Sequence, residues 1–483
     1  MRKIKLFLFT VLIGTGFLSA QNKQLLYDFY EIPQSLLVNP GVKTPYKWHA
    51  GIPVLSGVAI QAGTSGITVN DLFANDGLNF TDKVREKVVN GLSQRDEFGG
   101  SGQIELLYGG FRIANRPDTY YSFGIYGEGY LSQFWPKDLA ILAFEGNGNN
   151  IGRRFNLNHL TLTGEAVNVF HFGINKVVDN KLQIGFRGKF YSSVFHFRST
   201  GNQGYFETTE GENNLLRNTV VADLQLQTSG IESFLDILDD DSISAGEEFP
   251  KNFTRRALFG GDLGLGVDLG FTYQLNNRTT LTGSLLDLGF IYYSTDVKNY
   301  TLKGTASNEG IEIILPESFN DLNSDIWENL VDDIEAQVPL ETNTNSYVSL
   351  RPIKLNASIR YNFGEQKRRT EDCYCGTNTV INNTPFNYKN AVGGQLFVIN
   401  RPRGPQAALT AFYQTRIGNA LAVKATYTAD KFTMTNIGLG LNFQAGPVNF
   451  YILGDNLLGY RNIPDSNYAS LQFGFNIISW NSN

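Results

Sequence analysis

The sequence predicts an all-β chain: a transmembrane, up-and-down antiparallel β-barrel of about 14 strands with long, partly helical extracellular loops. Three observations carry this expectation. First, Phe259 to Leu275 alternates for about 17 residues, far longer than an ordinary soluble strand. Leu263, Leu265, Val267, Leu269, Phe271 and Tyr273 fall on one face; Asp262, Gly264, Gly266, Asp268, Gly270 and Thr272 fall on the other. Successive strand side chains point to opposite faces, so the two faces meet two different solvents. Second, the pattern recurs along the chain, and apolar-out, polar-in alternation marks an outer-membrane barrel. Third, long connections alternate with short ones, as they do where short periplasmic turns oppose long outer loops.

The chain opens with MRKIK, an apolar run LFLFTVLIGTGFL and then Ser19-Ala20, the pattern of a secretory signal peptide over 1–20. No later run approaches the 18 apolar residues of a spanning helix, so membrane residence requires a closed barrel. Residues 21–47 contain Pro33, Pro40 and Pro45 and lack alternation; they read as a periplasmic lead-in or a plug. The barrel then occupies 48–483. Its strands are expected at 48–69, 101–113, 119–131, 161–177, 181–198, 257–275, 279–294, 347–363, 387–400, 406–417, 419–428, 433–444, 446–454 and 467–478. The first is expected to break around Pro53 and Gly57. At Leu285-Leu286 the apolar phase slips by one, which a β-bulge would absorb. Asp268 is placed on the lumenal face, where Asn is expected to be tolerated.

The long connections are 70–100, 132–160, 199–256 and 295–346. Helices are expected within them at 81–92, 231–238 and 318–338, the last because Leu322, Ile326, Leu330 and Ile334 recur every four residues. The long connection at 364–386 breaks the parity on the periplasmic side. It carries Lys367-Arg368-Arg369 and the two cysteines of the chain, Cys373 and Cys375. A small strained disulfide ring, intermolecular bridges, metal binding and an incidental pair all stay open there. The loop is read as a redox-sensitive or contact element.

Little points to catalysis. His49, His159, His171 and His196 lack partners at metal-ligand spacing, so no zinc site is expected. His171 and His196 fall on neighbouring strands and could approach each other. GLGVDLG at 264–270 lies mid-strand with no helix after it, so it cannot cradle a phosphate. DDDSISAGEE at 239–248 lacks the sixth-position glycine of an EF-hand. Without the signal peptide the chain carries 37 basic and 46 acidic residues, about −9, which argues against a nucleic-acid partner. No enzymatic activity, catalytic residue or cofactor is expected.

SLLVNPG at 35–41, GIPVLSGVAIQAGTSGITVNDLF at 51–73, TLTGSLLDLGFIYY at 280–293 and GPVNFYILGDNLLGY at 446–460 resemble a Bacteroidota outer-membrane family known mainly as a domain of unknown function. That family is similar in plan to FadL-type fatty-acid transporters and to PorV/PorP barrels of the type IX secretion and gliding machinery. The resemblance implies an outer-membrane location, contact with outer-membrane lipid, and one of two roles. The first is an accessory or structural subunit with protein partners in a secretion, gliding or assembly complex. The alternative is a FadL-like channel for hydrophobic or small solutes.

Overall fold

A computed structural model describes residues 23–211, 216–239, 244–309, 338, 340–365, 388–418 and 420–480. The segment read as a signal peptide, the helix at 318–338 apart from residue 338, and the loop with Cys373 and Cys375 lie outside these residues. The strands close into a 14-strand antiparallel barrel. Closure runs through Tyr468–Trp480, which pairs with both pieces of the first strand: Ala50 opposes Ile477 and Ile60 opposes Leu471. Those pieces, Tyr46–Gly51 and Val58–Thr64, are split by an excursion over 52–57, at the break the sequence suggested.

Every other wall strand pairs with its sequential neighbours; long excursions join them at one end as far as Tyr347, and the later connections at that end, such as the hairpin Arg401–Gly404, are short. The alternation sets the faces. On Asp262–Gln274, Leu263, Leu265, Leu269 and Phe271 are exposed on the outside, while Asp262, Asp268, Thr272 and Gln274 are buried in the lumen. The same parity holds on Leu182–Ser199, with Ile184 and Phe186 outside and Arg187 and Lys189 inside.

The bulge falls where the apolar phase slips. Val267 pairs with Leu288 and Leu269 with Leu285, so Leu286-Asp287 together oppose Asp268. Asp287 adopts a positive φ of 60°. The extra residue keeps Leu285 and Leu288 outward and swings the Asp287 carboxylate into the lumen.

Three features depart from the sequence reading. The strand expected from 257 begins at Asp262; Phe259 sits in a kinked turn with φ 67°. The connections at 199–256 and 295–346 also carry strands, Gln203–Glu210, Leu216–Ser229, Asn299–Glu309 and Leu340–Asn343, which extend the sheet beyond the barrel rim. Their alternation was hidden because neither face is uniformly apolar. Helices form at Phe80–Lys83, continuing as a wider turn through Gly91, and at Glu232–Asp239, close to expectation. Lys137–Glu145 and Ala245–Arg255 are helices the sequence did not announce.

Leu269→Arg is expected to block barrel formation in a bilayer, because arginine on the lipid face near mid-plane costs about 2–4 kcal/mol. Asp268→Asn corrects the tolerance expected from sequence. Asp268 is fully buried and lies against Arg187 and Lys189, so loss of its charge leaves buried cations unbalanced. Breaking such a pair costs about 3–5 kcal/mol. Denaturant unfolding of both variants, followed by heat-modifiable gel migration, checks the two expectations.

Candidate functional site in the lumen

The lumen is occupied by the chain's own N-terminal segment. Residues 24–42 are buried throughout, although the stretch has little regular structure beyond the four-residue helix Ser35–Val38. Its conformation is set by the wall. A helix leaves its last carbonyls without intrahelical partners. Here Arg187 donates from Nη1 to Leu36 O (2.8 Å) and from Nη2 to Leu37 O (2.6 Å), and Ser284 Oγ donates to Val38 O (2.7 Å).

Arg187 is itself fixed by carboxylates. Its Nε donates to Asp268 Oδ2 at 2.7 Å, and Lys189 Nζ lies 3.0 Å from the same oxygen. Lys189 also meets Asp287 Oδ1 at 2.5 Å, and Lys354 meets Asp287 Oδ2 at 2.7 Å. The Asp287 N–H donates to Asp268 Oδ1 at 2.7 Å, joining the bulge to the network. Three cations and two carboxylates therefore share one buried ladder. Charges are tolerated at such burial only when paired and hydrogen-bonded.

Beyond the helix, Asn39-Pro40-Gly41 lies against the paired wall glycines Gly185 and Gly270. A Cβ on Gly185 would strike the Pro40 carbonyl oxygen, and one on Gly270 would strike the Asn39 side chain. Asn175 Nδ2 donates to Pro40 O (2.7 Å) and Val42 O (2.8 Å), and Thr272 Oγ1 donates to Gly41 O (2.8 Å). Further round the wall, Arg360 Nη1 donates to Asp28 O (3.0 Å), and Glu31 pairs with Arg416 and accepts from Gln414 Nε2 (2.9 Å). Gln34 Nε2 donates to Asn476 Oδ1 (2.8 Å) and to the Glu105 carboxylate (3.0 Å). The segment is thus tied to the wall on opposite sides of the barrel.

Beside the plug a cavity of about 120 Å³ stays open. Tyr126, Tyr130 and Phe397 line it with rings, and Lys23, Gln103 and Arg401 with polar and cationic groups; the carboxylates of Glu128 and Asp287 also reach it. Lys23 Nζ donates to Gln103 Oε1 at 2.6 Å. The Arg401 guanidinium lies over the Tyr130 ring at 5.6 Å, and its buried Nε has no hydrogen-bond partner among the described residues.

The histidines do not assemble a catalytic group. His171 pairs across the ladder with Lys189, whereas His196 pairs with Glu165. Seven residues separate Lys189 from His196 on one strand, roughly 23 Å at 3.3 Å per residue, so His171 and His196 do not approach. His49 shares a 2.5 Å hydrogen bond with the Tyr120 hydroxyl, and His196 shares one of 2.9 Å with the Tyr347 hydroxyl. His159, in the connection between Arg116–Phe134 and Leu162–Val177, is held below its ordinary value by burial, which outweighs the pull of Asp138 3.9 Å away. Among the described residues no group of three or more potential metal ligands occurs. Cys373 and Cys375, the pair read as a redox or contact element, lie outside the described residues.

A family of unknown function (DUF5723) matches residues 40–455. The chain belongs to that family. No curated protein matches it in sequence. Solved structures similar to it include the Ralstonia pickettii toluene transporter TbuX, at 10% identity, with 92% of this chain and 94% of that chain covered and a TM-score of 0.40. The P. putida toluene transporter TodX has 9% identity, with 95% and 92% covered and a TM-score of 0.34. A Pseudomonas aeruginosa FadL homologue has 10% identity, 89% of each chain covered and a TM-score of 0.35. The likeness is one of barrel plan, and the fold stands on the chain's own strand ladder.

The lumenal anchors were missed from sequence, although a signal for them existed. Arg187, Lys189 and Asp268 are long or charged residues on the polar face of neighbouring strands, and Gly185 and Gly270 share that face. Gly185→Val is expected to expel the Asn39–Gly41 stretch and leave the outer face unchanged. Protease cleavage within 24–42 of the folded barrel should rise sharply, while heat-modifiable migration persists; a plug as resistant as in the parent protein would contradict the packing described.

Proposed function

We propose that this family member is a non-enzymatic outer-membrane β-barrel that admits a small hydrophobic or amphipathic solute past its plug. The cavity beside the plug carries the reading. At about 120 Å³ it approaches the engineered cavity of about 150 Å³ that binds benzene. Its lining sets aromatic rings among more cations (Lys23, Lys189, Arg351, Lys354, Arg401) than carboxylates (Glu128, Asp287), so it suits a single ring with a polar or anionic substituent. The outward apolar faces of the wall strands support residence in a membrane, since a closed barrel satisfies its backbone there. On this reading the long connections face outward and the short turns face the periplasm.

The other role expected from sequence, an accessory subunit of a secretion, gliding or assembly complex, gains no support from the described residues or the comparisons. The residual cavity beside the plug favours the solute channel, which stood as the alternative.

Proteoliposomes with the purified barrel are expected to take up benzenesulfonate faster than protein-free liposomes and to exclude a trisaccharide. Ala59→Phe, which projects a ring from the wall of the cavity, should lose most of that uptake while folding normally. Equal uptake by parent and variant would separate transport from the cavity and sink the proposal.

A further inference from the structure

A polar pair interrupts the apolar outer wall between two adjacent strands. Asn168 and Ser192 are direct partners on adjacent strands. Both share the outward parity of Phe170, Phe172, Phe186 and Phe190. In hydrocarbon an uncovered amide and hydroxyl would be costly. Neither is uncovered. Asn168 Nδ2 donates to Ala257 O at 3.2 Å; Ser192 Oγ donates to Arg256 O at 2.7 Å and accepts from the Phe259 N–H at 3.0 Å. The segment 256–260 therefore folds back over the outside of the wall and satisfies both groups.

What it presents in their place is apolar. The Phe259 ring stacks on Phe170 at 4.5 Å and packs on Phe190 at 5.5 Å, both outward wall residues. Leu258 and Phe259 are still 53% and 51% exposed. The chain accepts φ 67° at Phe259 to reach this position, a region a phenylalanine rarely adopts. The preceding helix, Ala245–Arg255, is held by Asn252 Nδ2 donating to Ser233 Oγ (3.0 Å) and by Phe249 packing on Phe234 (4.7 Å). It leaves Phe253 43% exposed, one turn from Phe249, with Lys251 and Arg255 also exposed.

The height of this cover is informative. Phe170 and Phe190 lie in the row of Leu265, and nine residues separate Leu265 from Gln274 at the short-turn end. At about 3.4 Å per residue and a tilt near 40°, that row stands about 23 Å above the turn end, close to the roughly 25 Å apolar band of such barrels. The cover thus sits at the upper edge of the band. The helix balances Lys251 and Arg255 against Glu247 and Glu248, so its exposed aromatics, on a short amphipathic helix, are what suit a headgroup–acyl boundary.

We infer that Ala245–Arg255 and residues 256–260 form an interfacial cover, docked on the outside of the barrel, whose Phe253, Leu258 and Phe259 enter the headgroup–acyl boundary of a lipid leaflet. The inference rests on the membrane reading above. Its continuity with the apolar wall, through the Phe259 stack, identifies lipid as the occupant.

The test uses the full barrel in bilayers containing brominated lipids, with Phe253→Trp, Phe259→Trp and Leu269→Trp each compared with the parent protein. Fluorescence at 253 and 259 is expected to lose most intensity with bromine near the headgroup, and at 269 with bromine deep in the chain. If Trp at 269 is quenched but those at 253 and 259 respond only to aqueous acrylamide, the cover faces water or a protein and the inference falls alone. If Trp at 269 is not quenched by lipid, the membrane reading falls and this inference with it.

Discussion

Asp268 is the residue on which most of the lumen depends. It has no contact with water, and it meets Arg187, Lys189 and the backbone of Asp287 together. The cations are retained because the carboxylates offset their desolvation, and Arg187 thereby stays straight enough to reach the plug. Two of its remaining N–H groups take the carbonyls of Leu36 and Leu37. One ladder accordingly performs two tasks: it neutralises buried charge in the wall, and it supplies the orphaned carbonyls of a helix too short to stand alone.

The β-bulge makes this ladder complete. Without the extra residue, the strand after Leu285 would turn its apolar face into the lumen, since a one-residue slip inverts every side chain. The bulge corrects the phase and, at the same position, brings a second carboxylate beside Lys189 and Lys354. The paired glycines at 185 and 270 then let the Asn39–Gly41 backbone lie directly on the wall. What stays open is the cavity by Lys23 and Arg401, on which the proposed solute path rests.

The exterior follows the same rule as the interior, that polar groups out of water are given partners. Asn168 and Ser192 break the apolar face of the wall, and residues 256–260 bend back to cover them. The strand that reads from sequence as beginning at 257 begins at Asp262 for this reason. Phe259 continues the alternation in sequence, but it is a lid on the neighbouring strands and not a member of its own.

The sequence alone determined the barrel, its faces and the position of its bulge. Alternation is a local property: Leu265, Leu269 and Phe271 against Asp268 and Thr272 declare two solvents whatever the rest of the chain does. The long and short connections declared the two ends in the same way. The strands at the rim escaped notice because their apolar positions are few and broken by polar ones: Phe206, Val220 and Ala222 turn toward a small cluster under the loops, while Asn218 and Thr208 share that buried side. Only the tertiary structure decided where residues 24–42 go, which charges pair, and that His171 and His196 stay apart. Those outcomes depend on which strands become neighbours and on residues hundreds of positions apart, such as Asp28 and Arg360, meeting across a closed lumen, and no local pattern encodes that meeting.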